Sequence, residues 1–316
     1  MVDLGILPGG TASISGAVND AGTIAGFANI PGGFYNAFMY TTAGGMVNIG
    51  TLGGSNSNAN AINNSGTIAG YAYTTGDASV AAFSYTTSGG MVNIGSLGGI
   101  YPGSGNADGL SGIPAGGTFA DAYGINSSGT IVGNSYNASG NEHAFMYTTA
   151  GGMVDLGTLG GSSSYNFGAI NSSGTIAGTA FTAGGDQHSY IYTTAGGMVD
   201  VGTLPGGAAS EAVAINSAGI VVGDGLTSGG QDHAFVYIGG VMVDLNTLLD
   251  SSGAGWTLEQ AYGINDSNQI VGWGYNSSGQ MDAYLLTLDV VPEPSTCAML
   301  VGGLGLLGLA VRRRSS

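Results

Sequence analysis

Short apolar runs, each closed by glycine, serine, asparagine or threonine, follow one another along nearly the whole chain, as in HAFMYTTAGGMVDLGTLGG at residues 143–161. Runs of four to seven residues rich in β-branched and aromatic types and bounded by turn-formers predict strands. None sustains the period of about 3.6 residues that a capped helix requires. Four kinds of run recur six times each. MVDLG or a variant begins at Met1, Met46, Met91, Met153, Met198 and Met242. A second kind ends at Val18-Asn19, Ile62-Asn63, Ile125-Asn126, Ile170-Asn171, Ile215-Asn216 and Ile264-Asn265. A third, of the GTIAG type, runs from Gly22, Gly66, Gly129, Gly174 and Gly219, with a degenerate copy from Asn268 to Gly272. The fourth reads AFMY at 37–40 and 144–147, with variants at 82–85, 189–192, 234–237 and 283–286.

The spacing from Met1 to Met46 to Met91 is 45 residues, and 45 again from Met153 to Met198. A fixed period of this size indicates a solenoid, a propeller or an array. Asn126-Ser127-Ser128-Gly129 and Thr149-Ala150-Gly151-Gly152 have the composition of hairpin loops, so successive strands should pair antiparallel, which excludes a parallel β-helix. Four antiparallel strands in about 45 residues make the blade of a propeller. Ala144-Phe145-Met146-Tyr147 is apolar on both sides, as a central strand covered by neighbouring blades would be. Met153-Val154-Asp155-Leu156 alternates, as a half-exposed outer strand would. The small-residue run ending in Ile-Asn suits the crowded inner strand. The chain starts on one MVDLG run and ends with the other three kinds, so the expected fold is an all-β, six-bladed propeller over residues 1–290, closed by the N-terminal strand completing the last blade. Two links exceed the period, 100–121 and 249–261, and both should lie on one face of the ring.

Composition narrows the function. The 63 glycines lack a collagen triplet and punctuate turns. The net charge is -16, and all three basic residues, Arg312, Arg313 and Arg314, stand at the C-terminus. With no lysine or arginine elsewhere, the body has nothing to displace counterions from phosphates, which excludes nucleic-acid binding. Its carboxylates must stay in water, accept hydrogen bonds or bind a cation. Cys297 is the single cysteine, so no intramolecular disulfide forms.

Residues 291–316 form a separate segment. Pro292-Glu293-Pro294 breaks the fold, Cys297 to Val311 is an uncharged apolar run, and the arginines follow. That run is short against the ~20 residues that span a bilayer, and the arginines would sit on the cytoplasmic side of the inner membrane. This tail resembles the PEP-CTERM sorting signal of Gram-negative bacteria, and the body resembles the HAF repeat family on His143-Ala144-Phe145 and His233-Ala234-Phe235. Asn36, Ala81 and Asp282 stand at the histidine position in other copies, and His188 is followed by Ser-Tyr. The resemblances imply export, handling by an exosortase, and a place on the cell surface or in an exopolysaccharide matrix. Residues 1–25 have no basic region or apolar core of a signal peptide, so the leader is expected upstream of a start placed too late or of a fragment.

The repeated histidines His143, His188 and His233 read as scaffold, because equivalent positions on successive blades do not converge. Asp186, Asp232, Asp282 and Glu142 lie beside that position; Asp3, Asp155, Asp200 and Asp244 share a position in MVDLG. They read as solvated or hydrogen-bonded, and no metal or cofactor site is assigned. Calcium is the one cation kept open, since it takes carboxylate oxygens, but no D-x-D-x-D-G loop is present. Non-repeated Asp108, Asp121, Glu211 and Glu259 are the carboxylates left for acid/base work, with Tyr101, Tyr165 and Trp256 as sugar-stacking aromatics. Glu211 and Glu259 are expected in links on the long-loop face. No nucleophile elbow, phosphate loop or paired-cysteine motif occurs. The leading expectation is a structural or interaction protein without catalytic activity; its alternatives are a glycan-binding module and a polysaccharide hydrolase or lyase on the long-loop face.

Overall fold

The computed structural model describes residues 1–102 and 116–288. The described chain is a succession of antiparallel meanders, five of four strands and one of three. The first sheet is β1 (Ser13–Val18), β2 (Ile24–Asn29), β3 (Tyr35–Thr41) and β4 (Gly45–Gly50); the second is β5 (Gly53–Ile62), β6 (Ile68–Thr74), β7 (Val80–Thr86) and β8 (Gly90–Gly95). The third is β9 (Ala120–Ile125), β10 (Ile131–Tyr136), β11 (Glu142–Thr148) and β12 (Gly152–Asp155); the fourth is β13 (Gly160–Tyr165), β14 (Ile176–Thr182), β15 (Gln187–Thr193) and β16 (Gly197–Gly202). The fifth is β17 (Ser210–Ile215), β18 (Val221–Leu226), β19 (Asp232–Ile238) and β20 (Val241–Asp244); the sixth is β21 (Thr257–Ile264), β22 (Gln269–Tyr275) and β23 (Met281–Thr287). Each sheet packs against the next in chain order.

The core lies between sheets. Ala25 and Ala37 of the first sheet meet Ile68 and Phe83 of the second, and Ala69 and Ala82 of the second meet Ile131 and Phe145 of the third. Phe38, Phe83, Phe145, Tyr190 and Phe235, one from each four-stranded sheet, are fully buried. A small residue before each aromatic, alanine in four sheets and Ser189 in the fourth, lets a neighbouring sheet approach. The fourth strand is half-open to water as its alternation predicts, with Val47, Val92 and Val199 exposed.

A bulge displaces each first strand toward the glycine of the second. A Cβ on Gly26, Gly70, Gly133, Gly223 or Gly272 would stand 1.8–2.1 Å from the carbonyl oxygen of Ile14, Asn58, Asp121, Glu211 or Gln260, respectively. Backbone on both sides leaves nothing to yield, and this is why Ile-x-Gly or Val-x-Gly recurs.

An asparagine ends each first strand and joins the sheets. Its Oδ1 accepts the N–H four residues on, closing the turn: Thr23 to Asn19, Thr67 to Asn63, Thr130 to Asn126, Thr175 to Asn171, Ile220 to Asn216. Its Nδ2 donates to the carbonyl of the next asparagine, from Asn19 to Asn63, Asn126, Asn171, Asn216 and Asn265, at 3.0–3.2 Å. A serine ladder runs beside it. Ser57 Oγ donates to the Gly50 carbonyl and accepts from the Ala37 N–H, and Ser164 and Ser210 do the same for Gly157 with Ala144 and for Gly202 with Ser189.

The ring closure expected from the pattern is not shown by the described residues. Residues 1–12 contain no strand, and Met1 and Val2 are exposed. Leu7, buried beside Ala28 and Phe38, and the Ser13 hydroxyl on the Gly5 carbonyl hold this segment to the first sheet.

Two substitutions probe these devices. Asn126→Ala removes the bond to Asn171 and strips the Ser128 and Thr130 N–H groups of their acceptor, and should cost about 2 kcal/mol in urea unfolding. Gly133→Ala drives a methyl into the Asp121 carbonyl and should cost about 3 kcal/mol or more by the same measurement.

Candidate functional site

Of the seven candidate ligand residues, Asp108 lies outside the described residues. Tyr101 is only 5% exposed and its ring packs against Phe119 and Tyr136, so no face is open for a sugar. Tyr101 and Phe119, at the two described ends of the link, form a core cluster with Tyr73 and Val80. Asp121 is also buried; the Asn60 amide of the preceding sheet donates to its Oδ1 at 2.8 Å. Tyr165 is half-buried and meets Phe181 edge-on.

Glu211 and Glu259 are not in links but in strands β17 and β21, which begin before the Ile-Asn run because a bulge lengthens them. Asp121 and Glu211 are paired across their sheets with Asn134 and Asp224, and Tyr165 with Thr179. These three candidates therefore hold one repeat position in successive sheets, and are spread along the array as the histidines are. Glu259 falls at a bulge beside Gln260, half-buried.

The structure brings together a group that the motifs did not single out, at the boundary of the fifth and sixth sheets. Glu211 accepts from the Gln187 amide at 3.4 Å. Burial, reinforced by the carboxylates of Glu211 and Asp232 and opposed by the Gln260 side chain, pushes the Asp224 carboxyl up to about 7. Burial likewise raises Glu211. Gln260 Oε1 accepts from Trp273 Nε1 at 2.8 Å and from the Tyr262 hydroxyl, and the Tyr284 hydroxyl donates to the Gln260 carbonyl. The sequence signal was the position after each Ile-x-Gly or Val-x-Gly, where Phe27, Tyr71, Asn134, Thr179, Asp224 and Trp273 vary within a constant frame. Chemically this is a carboxylate–amide–indole group that runs across three sheets, with Gln187 from the fourth, Glu211 and Asp224 from the fifth, and Gln260 and Trp273 from the sixth.

The histidines have partners as well. Nδ1 of His143, His188 and His233 lies 2.7–2.9 Å from Asp155, Asp200 and Asp244 on the adjoining strand. The bond to Asp155 raises the His143 imidazole above its ordinary value, against burial. Burial would lift Asp155, but the bonds from His143 and the Gly157 N–H bring it below the usual carboxylate range. Repeats with histidine carry aspartate in MVDLG, whereas Asn36 faces Asn48, a correlation legible in the sequence.

Trp256 lies in a groove of about 770 Å³ with Leu248, Leu249, Asp250, Leu258 and residues 283–288. Among the described residues, no three His, Cys, Asp or Glu side chains converge as metal ligands, and no helix is long and apolar enough to cross a membrane. The sorting residues Pro292, Glu293, Pro294, Arg312, Arg313 and Arg314, and the apolar run 297–311, lie outside the described residues.

The fold is thus that of an all-β protein of propeller-like meanders. The tail adds a second identification: residues 290–314 match the PEP-CTERM protein-sorting motif, which implies an exported protein processed by an exosortase. No curated protein matches the chain. Among solved structures it is similar to TolB from Acinetobacter baumannii, at 13% identity and TM-score 0.38, covering 83% of this chain and 63% of TolB. It is also similar to the β-propeller domain of the Trilobed protease from Pyrococcus furiosus, which has an open velcro topology, at 8% identity and TM-score 0.34, covering 87% and 95%. Aleuria aurantia lectin, in complex with Fucα1-6GlcNAc, gives 11% identity and TM-score 0.29, covering 88% and 93%. At these similarities nothing of their activities transfers to this chain.

The Asp224 network sets a pH dependence. Unfolded, Asp224 ionises near 3.8; folded, near 7, so between those values the folded chain holds the extra proton and loses stability as pH rises. Asp224→Asn should remove this component and stabilise the protein by about 1 kcal/mol at neutral to mildly alkaline pH, discounted for partial exposure, with little change below about pH 4. Thermal unfolding of both proteins across that range checks it.

Proposed function

We propose that this is an exported surface or matrix protein with a structural, interaction role, carried on six propeller blades of the HAF-repeat type and delivered through an exosortase of a Gram-negative envelope. The observation that carries the reading is the sorting motif at 290–314 behind a body whose polar side chains join one sheet to the next. Exopolysaccharide is the surrounding in which such a scaffold would act, with the inner membrane met only through residues 297–311 before processing. The acidic surface suits it to a hydrated, weakly adhesive layer and repels other polyanions.

The test is fractionation of an exosortase-bearing host that expresses the tagged chain behind an export leader. The wild type should reach the surface and extracellular fractions. Pro292→Ala with Pro294→Ala should leave most of it unprocessed in the membrane fraction. Polysaccharide turnover by the purified protein, abolished by Glu259→Gln, would replace the structural role with an enzymatic one.

A further inference from the structure

The two ends of the array are open, and they match. Val271 is 48% exposed in the sixth sheet, whereas Ala25, Ala69, Val132, Ala177 and Val222 at its position in the other five are fully buried under the next sheet. Tyr262 and Leu285 are exposed with it. At the opposite end Ile14 is 55% and Val18 64% exposed, although Ile62, Ile125 and Ile215 at the latter's position are half-buried.

Both polar ladders also stop one step short. Asn265 Nδ2, lacking a following asparagine, turns to its own Gln269 side chain. The Asn19 carbonyl, at the other end, accepts from Gly22 in its turn and from no preceding asparagine in the described chain. Ser13 Oγ already donates to the Gly5 carbonyl, as Ser57 does to Gly50, and lacks only the N–H that Ala37 supplies to Ser57; Ala283 holds that position in the sixth sheet.

The apolar pairing repeats the pattern. Leu7 clusters with Met46, Leu52 with Met91, Leu97 with Met153, Leu159 with Met198 and Leu204 with Met242, each leucine from a link and each methionine from the following sheet's outer strand. The sixth cluster has Leu249 and Trp256 but no such methionine, and the groove of about 770 Å³ lies beside them along β23. Met1, at the matching place in MVDLG, is exposed at the far end.

We propose that these ends dock on each other between copies, so that the first sheet of one chain, with the Met1–Gly5 segment that precedes it, covers the sixth sheet of another and the protein assembles head to tail. The contact continues the interface already made five times within the chain. Among the described residues no strand of the first sheet packs against one of the sixth, which leaves both end faces open to a second copy. A head-to-tail contact that does not return on itself propagates as a filament. The junction differs from the internal interfaces in charge: where Asp20 meets Asn64 and Ser217 meets Asp266, the junction sets Asp266 against Asp20, and Asp282 against Asp3 where His143 meets Asp155. Assembly is therefore favoured by screening salt. The inference rests on the surface-scaffold reading only for where it operates.

Crosslinking tests it in the full chain, with Cys297→Ser as background. Asn19→Cys and Asn265→Cys are placed in separate, differently tagged chains, mixed and oxidised. A mixed-tag disulfide dimer is expected in high salt, together with loss of higher assemblies in sedimentation velocity on Val271→Asp, a change at an exposed site. Asp20→Asn with Asp282→Asn should strengthen low-salt assembly by roughly tenfold, the effect of removing two like-charge pairs. A doubly substituted chain that crosslinks only within itself, or no crosslink in either design, overturns the proposal; either result leaves surface fractionation to judge the scaffold reading separately.

Discussion

The interaction on which the structure depends is the two-handed use of one asparagine amide. Its oxygen closes the turn between the first two strands of its own sheet, and its nitrogen reaches the backbone of the next. A side chain that donates and accepts at once couples local and long-range order, so a sheet cannot shift against its neighbour without also unsettling its own turn. Serine, aspartate and threonine could close the turn, but only an amide also supplies the N–H donor facing forward. The apolar contacts are interchangeable along the array, with alanine or valine filling one position and alanine or serine another, while the asparagine is kept in all six repeats.

A body without lysine or arginine must manage its acids differently. Asp121 takes an amide from Asn60, Glu211 one from Gln187, and Asp155, Asp200 and Asp244 a histidine each. Amides accept this role without the large desolvation cost of a buried counter-ion. Where the arrangement is least complete, around Asp224, the carboxyl drifts toward its protonated form. The result is a protein whose internal bonds are mostly neutral while its surface remains strongly anionic.

Strands and their grouping were legible because period-two alternation and glycine turns are local, and because repetition averages out the ambiguity of any one run. Gly129 and Asn126 alone announce the turn at 126–129. Placement between sheets was not legible. Tyr101 reads as a loop aromatic and is core, because a residue outside the repeat has no periodic neighbours to mark its burial. Glu211 looked like a link residue and lies in a strand, because the bulge shifts the register that alternation would read. The His–Asp pairs leave a trace in the sequence, because His143, His188 and His233 occur in the repeats whose MVDLG run carries Asp155, Asp200 and Asp244.

Because, among the described residues, each sheet packs chiefly on the sheets beside it in the chain and the asparagine ladder repeats at each boundary, the array is indifferent to its own length. Loss or duplication of one unit by unequal recombination between related repeats, such as those beginning at Met153 and Met198, would leave every surviving boundary with the same ladder. Such a gene is free to vary in repeat number while its product continues to fold, and the spacing between its two ends becomes a quantity that selection can adjust in whole steps.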